Sequence, residues 1–204
     1  MAENHDDLSD KEKQDLEAAA LASIKFVAQL AQEGERSAVI IGAAKIEEQV
    51  EGLLKAVLVN NPSSNDPLFD SDRALGALSA KIEMAYRLGL FTPELRSALD
   101  IVRRIRNQFA HSVEFASLAD SPQGERVRRL HELCSSHPGI NVLGPLFARL
   151  PMSESMRSYC SCLMVLIGQL EPERVTISKF EVSDPIDIVP PDWSSMEDLA
   201  NDSA

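Results

Sequence analysis

Apolar residues recur at intervals of three and four along this chain, and that period commits it to helices. Leu16, Ala20, Ile24, Val27 and Leu30 form one stripe. Val39, Ala43, Ile46, Val50, Leu53, Leu54 and Val57 form a second, and Leu95, Ala98, Leu99, Val102 and Phe109 a third. A helix turns about 100° per residue, so each set falls on one side. Aromatic residues make up only 5% of the chain. The core must therefore be aliphatic, a composition that favours helix packing over a β-sandwich. The expected fold class is all-α, a bundle of five to six helices.

Stop and start signals divide the pattern. Ser9 with Glu12 makes a capping box for a helix running to about residue 32. A second helix spans about 36–58, with Glu47 set inside its apolar face. Residues 60–66 are a loop by composition. A short helix at about 75–88 stops at Gly89, and Thr92 with Pro93 opens another that ends near Ser112. Residues 117–123 form a loop, 125–135 a helix, and Pro138-Gly139 reads as a break. Ser153 and Ser155 precede a final helix to about Leu170, stopped by Pro172. Beyond it Val175, Ile177, Phe180, Val182, Ile186 and Ile188 space like an extended arm, and Pro185, Pro190 and Pro191 preclude a central strand. The expected organisation is a disordered leader over 1–9, a helical bundle domain over 10–172, and an extended arm with an acidic tail over 173–204.

The net charge of -12 argues against a general DNA binder, because phosphate neutralisation supplies most of such a protein's affinity. The charge is uneven: 96–129 is locally basic, with Arg96, Arg103, Arg104, Arg106, Arg126, Arg128 and Arg129. Three cysteines, Cys134, Cys160 and Cys162, without a C-x-x-C pair, read as buried free thiols in a reducing compartment. His131, Cys134 and His137 stand three apart, but His137 precedes Pro138 and no fourth ligand is near, so neither a metal nor a cofactor is expected. Met152, Met156 and Met164 read as core fillers. The chain opens on Glu3, Asp6 and Asp7 rather than a basic-then-apolar leader, and its longest apolar run, 38–44, is too short to span a bilayer. A cytoplasmic protein that does not enter a membrane is the expectation.

The chemistry concentrates in Arg103-Arg104-Ile105-Arg106-Asn107-Gln108-Phe109-Ala110-His111. At helical spacing Arg106 falls within the apolar cluster, while Asp100, Arg103, Arg104, Asn107 and His111 fan across the other side. An arginine cannot shed its proton there, so it must be paired or reach water. Glu47 has the same peculiarity and is the expected partner in an ion pair between two helices. The competing reading buries the Arg106 stem and lets its head snorkel. His111 has two readings as well. It is a cap at the helix end, favoured by the dipole, or a general acid/base that moves the 2′-hydroxyl proton of RNA while an arginine stabilises the phosphorane. Phe69-Asp70-Ser71-Asp72-Arg73 reads as a turn in which Arg73 pairs with a neighbouring carboxylate. Alternatively Asp72 and Arg73 join Lys81 and Arg103 in a groove beside the motif helix. Lys81 is expected to be half-buried and paired.

Two blocks carry a family resemblance. Leu68-Phe69-Asp70-Ser71-Asp72-Arg73-Ala74-Leu75-Gly76-Ala77-Leu78-Ser79-Ala80-Lys81-Ile82, followed by Ile101-Val102-Arg103-Arg104-Ile105-Arg106-Asn107-Gln108-Phe109-Ala110-His111-Ser112, resembles the mannitol operon repressor family over about residues 36–112. Arg106-Asn107-x-x-x-His111 is also similar to the signature of HEPN domains, small helical bundles of which many act as RNases in toxin–antitoxin and defence systems. The first resemblance implies a transcriptional regulator of a sugar-alcohol operon, and the second a HEPN-like bundle that pairs as a homodimer. Were the chain an RNase, the signature would make His111, Arg106 and Asn107 the catalytic residues of a metal-independent endoribonuclease. The sequence has no helix-turn-helix with a basic recognition helix and no basic arm. Regulation through a protein partner is thus at least as well supported as contact with DNA, and direct contact with nucleic acid stays open.

Overall fold

A computed structural model describes residues 22, 25–30, 32–59, 61, 66–112 and 116–171. Six α-helices are formed among them: α1 (Glu35–Val57), α2 (Leu78–Arg87), α3 (Pro93–His111), α4 (Gln123–Cys134), α5 (Pro138–Phe147) and α6 (Glu154–Gln169). Helical residues 25–30 precede α1, and a 3₁₀ turn, Pro67–Phe69, precedes α2. No strand occurs among the described residues, and the fold is all-α, as the periodicity predicts. The leader, most of the first expected helix, the Pro172 stop, and the arm and tail over 173–204 lie outside the described residues.

The boundaries follow from local chemistry. Thr92 Oγ1 accepts from the Leu95 amide at 3.2 Å and Pro93 fills the first turn of α3, where its missing N–H costs nothing. Ser153 Oγ caps α6 in the same way through the Met156 amide. Gly89, at φ 77, ends α2: its amide donates to Tyr86 and the Leu90 amide to Ala85, a left-handed stop that a side chain would strain.

Two boundaries differ from expectation. Helix α2 begins at Leu78 rather than near Leu75. The Leu75 amide donates back to Leu68 O and the Gly76 amide to Arg73 O, so this segment closes a turn instead of opening a helix. A Cβ on Gly76 would collide with the carbonyls of Asp70 and Ser71, which only glycine avoids. The Pro138-Gly139 pair, expected to break the chain, instead begins α5. Proline is well placed in a first helical turn, and His137 Nδ1 accepts from the Gly139 amide there.

Four helices close a ring, with α1 packed on α3, α3 on α4, α4 on α6 and α6 on α1. Helix α2 lies against α1 and α3, and α5 against α6. The centre is mostly aliphatic, filled by Ile46, Leu54, Leu99, Ile105, Leu130, Leu163 and Ile167 with Phe109, Phe147 and Tyr159 among them. Polar ties lock the ring. Gln49 donates to Ile167 O across α1 and α6. Glu35, in the first turn of α1, accepts from the Leu118 amide at 2.7 Å and from Ser153 Oγ at 3.0 Å, joining three segments at one end. Cys134, Cys160 and Cys162 are free and buried. Burial pushes the Cys160 thiol up to about 12.

Candidate functional site

Helix α3 buries Ala98, Leu99, Val102, Ile105 and Phe109 against its neighbours. That stripe leaves the charged half of the motif on the outer side. Asp100 sits one turn ahead of the arginines and engages two of them. Arg103 donates from Nε and Nη2 at 2.9 and 2.6 Å, and Arg104 from Nε at 2.7 Å. The Asp100 carboxyl titrates below its ordinary value. Burial alone would raise it, and the hydrogen bond and charge of Arg103, with the charge of Arg104, outweigh that. Arg106 is half-buried and donates from Nη1 to Asn107 Oδ1 at 3.1 Å. His111 is exposed at the helix end. One residue on, the Ser112 carbonyl accepts from Arg36 Nη2 at 2.8 Å. A cation from α1 therefore meets the negative end of the helix dipole. No spacing rule reveals that contact, because the two residues lie 76 positions apart.

The expected Glu47–Arg106 ion pair does not form. Glu47 Oε1 lies 2.9 Å from Lys81 Nζ, and the same ammonium lies 2.8 Å from Glu51 Oε2. Glu47 and Glu51 are one turn apart on α1, so both carboxylates meet one cation projecting from α2. The Lys81 side chain is 4% exposed, deeper than half-burial. Burial alone would lower its pKa, but hydrogen bonds to Glu51 and Glu47 reverse the sign and raise it. Glu51 moves the other way: burial would raise it, and hydrogen bonds from Lys55 and Lys81 hold it below the usual range. Lys55 bonds Glu51 at 2.6 Å and stands 4.9 Å over the Phe69 ring, extending the chain of charges to the 3₁₀ turn.

The expected groove does not assemble either. Asp72 and Arg73 form a loose exposed pair at 3.9 Å on the turn. Arg103 is committed to Asp100. Lys81 instead lines a shallow cleft with Glu47, Glu48, Glu51 and Lys55. Four residues placed together by the sequence reading thus occupy three separate settings. Among the described residues no group of three or more His, Cys, Asp or Glu could hold a metal ion. His137 is a structural contact, 2.8 Å from Gln169 Nε2 at the far end of α6. No described helix is long and apolar enough to cross a membrane.

Sequence reasoning passed over a cleft of about 650 Å³ between α4, α5 and α6, lined in part by Arg128, His131, Arg157 and Ser161. In the sequence only the basic interval 96–129 points toward it, and the Pro138-Gly139 pair that opens α5, one of its walls, reads as a break. No known family, curated protein or solved structure matches the chain.

Proposed function

We propose that the protein is a cytoplasmic regulator that works by binding, as the resemblance to the mannitol operon repressor family implies. We also propose that it pairs as a homodimer and acts on transcription through a protein partner. One observation carries the reading: the arginines of the motif are spent on the helix that bears them, Arg103 and Arg104 on Asp100 and Arg106 on Asn107. A phosphate arriving at Arg103 or Arg104 would have to compete with the Asp100 carboxylate. The net charge of -12 works against direct DNA contact in the same direction.

The alternative is a metal-independent endoribonuclease of HEPN type, or a component of a toxin–antitoxin pair. It draws support from His111, a residue type suited to general acid/base chemistry that stands exposed at the end of α3. Incubating the purified chain with labelled RNA in chelator decides between the two. The regulator reading expects intact RNA, and no shift of labelled DNA fragments at about 150 mM salt. Cleavage that disappears in His111→Ala would overturn it in favour of the ribonuclease. A DNA shift would overturn the claim of a protein intermediary. Light scattering on the pure chain tests the dimer.

A further inference from the structure

We propose that the cleft between α4, α5 and α6 binds a small, hydroxylated phosphate monoester. The inference stands on the cleft alone and does not depend on the regulatory reading. The cleft's volume of about 650 Å³ suits a small molecule. Arg128 and His131 stand three apart on α4 and open into it, while Arg157, Ser158 and Ser161 enter from one face of α6. Ser161 is 3% exposed as a residue, and among the described residues its hydroxyl makes no hydrogen bond. A helical serine hydroxyl ordinarily bonds back to the preceding turn; this one lines the cleft instead, where it can donate to or accept from a ligand.

The arginines separate sharply. On α4, Arg126 bonds Gln123 Oε1 at 3.1 Å and Arg129 bonds Glu132 at 2.9 Å. Arg128, between them, makes no hydrogen bond or ion pair among the described residues. Arg157 donates Nη1 to Met152 O at 2.9 Å, which leaves Nη2 and Nε for a ligand. The planar guanidinium fork matches phosphate oxygens in pairs.

Glu125 and Glu154 also line the cleft, each three residues before one of these arginines, yet neither pairs with it. A site for a bare anion gains nothing from two carboxylates. A ligand carrying hydroxyl groups beside its phosphate uses both, because a carboxylate accepts from a hydroxyl while the guanidinium groups hold the phosphate.

Titration calorimetry and thermal unfolding of the full chain test this with glycerol 3-phosphate, inorganic phosphate and glycerol as probes. Glycerol 3-phosphate is expected to bind, to raise the melting temperature with concentration, and to bind more tightly than inorganic phosphate. Arg128→Gln changes an exposed residue without an internal partner, so the fold survives, and affinity for glycerol 3-phosphate falls about tenfold. Ser161→Ala weakens binding without lowering the melting temperature of the free protein. Absence of binding by either phosphate would overturn the proposal. Equal affinity in Arg128→Gln and wild type, or glycerol binding as well as its phosphate, would overturn it too.

Discussion

The outer face of α3 and the cleft beside α4 carry the same kinds of side chain and use them in opposite ways. Asp100 and Arg103 are three residues apart and paired at 2.6 Å; Glu125 and Arg128 have the same spacing and are not paired. Helical spacing permits such a contact, but an exposed pair is worth only about 0.3–0.5 kcal/mol, so surroundings decide whether it forms. At Asp100 a second arginine and partial burial reinforce the first contact. In the cleft the groups stand apart around open space. Charge consumed within a helix steadies that helix, whereas charge without an internal partner is available to a molecule from outside.

A third region, the Lys81 knot, has the satisfied pattern of α3 but is buried, and it gives the largest expected effect. Glu47→Gln combined with Glu51→Gln strips the counter-charges from an ammonium that is 4% exposed. A loss of about 3 kcal/mol in urea unfolding is expected. A loss below about 1 kcal/mol would reduce the knot to the rank of a surface pair.

The knot should also leave a mark on the pH profile. Glu51 titrates below 4.5 in the folded protein, so its contribution is present above pH 4.5 and fades as pH falls through the lowered value. Lys81 titrates above 10.5, so its contribution is present below pH 10.5 and fades as pH rises through the raised value. The stability difference between wild type and Lys81→Met should therefore be greatest between these limits and shrink toward both. A difference that stays flat with pH would break the assignment.

Smaller effects sharpen the contrast on α3. Asp100→Asn is expected to cost less than about 1 kcal/mol, since Asp100, Arg103 and Arg104 all keep contact with water. By releasing two guanidinium groups it should make the chain leave a heparin column at higher salt, turning a self-satisfied face into an open one. Unchanged elution would show that Asp100 does not restrain them. The smallest expected effect is the coupling between Arg106→Ala and Glu47→Ala in a double-mutant cycle, close to zero because each residue bonds elsewhere. A coupling above about 0.5 kcal/mol would restore the ion pair that the structure lacks.

Much of the fold was legible because its determinants are local. Thr92, Pro93, Ser153 and Gly89 act within a few residues of themselves, and each terminates or opens a helix where the sequence places it. Helix α5 escaped because a proline–glycine pair stands at a helix start as readily as at a break, and packing against α6 settles which. Three of the residues behind the family resemblance make contacts that hold the fold. Phe69 is buried under Lys55, Gly76 passes close to two carbonyls, and Lys81 is clamped between Glu47 and Glu51.

The candidate sites were less legible, because charge partners are chosen in three dimensions. Two features, an arginine in an apolar stripe and a glutamate in another, suggested each other, but helical projection does not say which third element stands between two faces. Helix α2 supplies that element, and its lysine reaches Glu47. By itself the sequence determined the helical class, most helix ends and the aliphatic core, since period, caps and composition act through neighbours along the chain. Only the tertiary structure decided which cations are satisfied and which face an open cleft, because pairing depends on distances between helices that are remote in sequence.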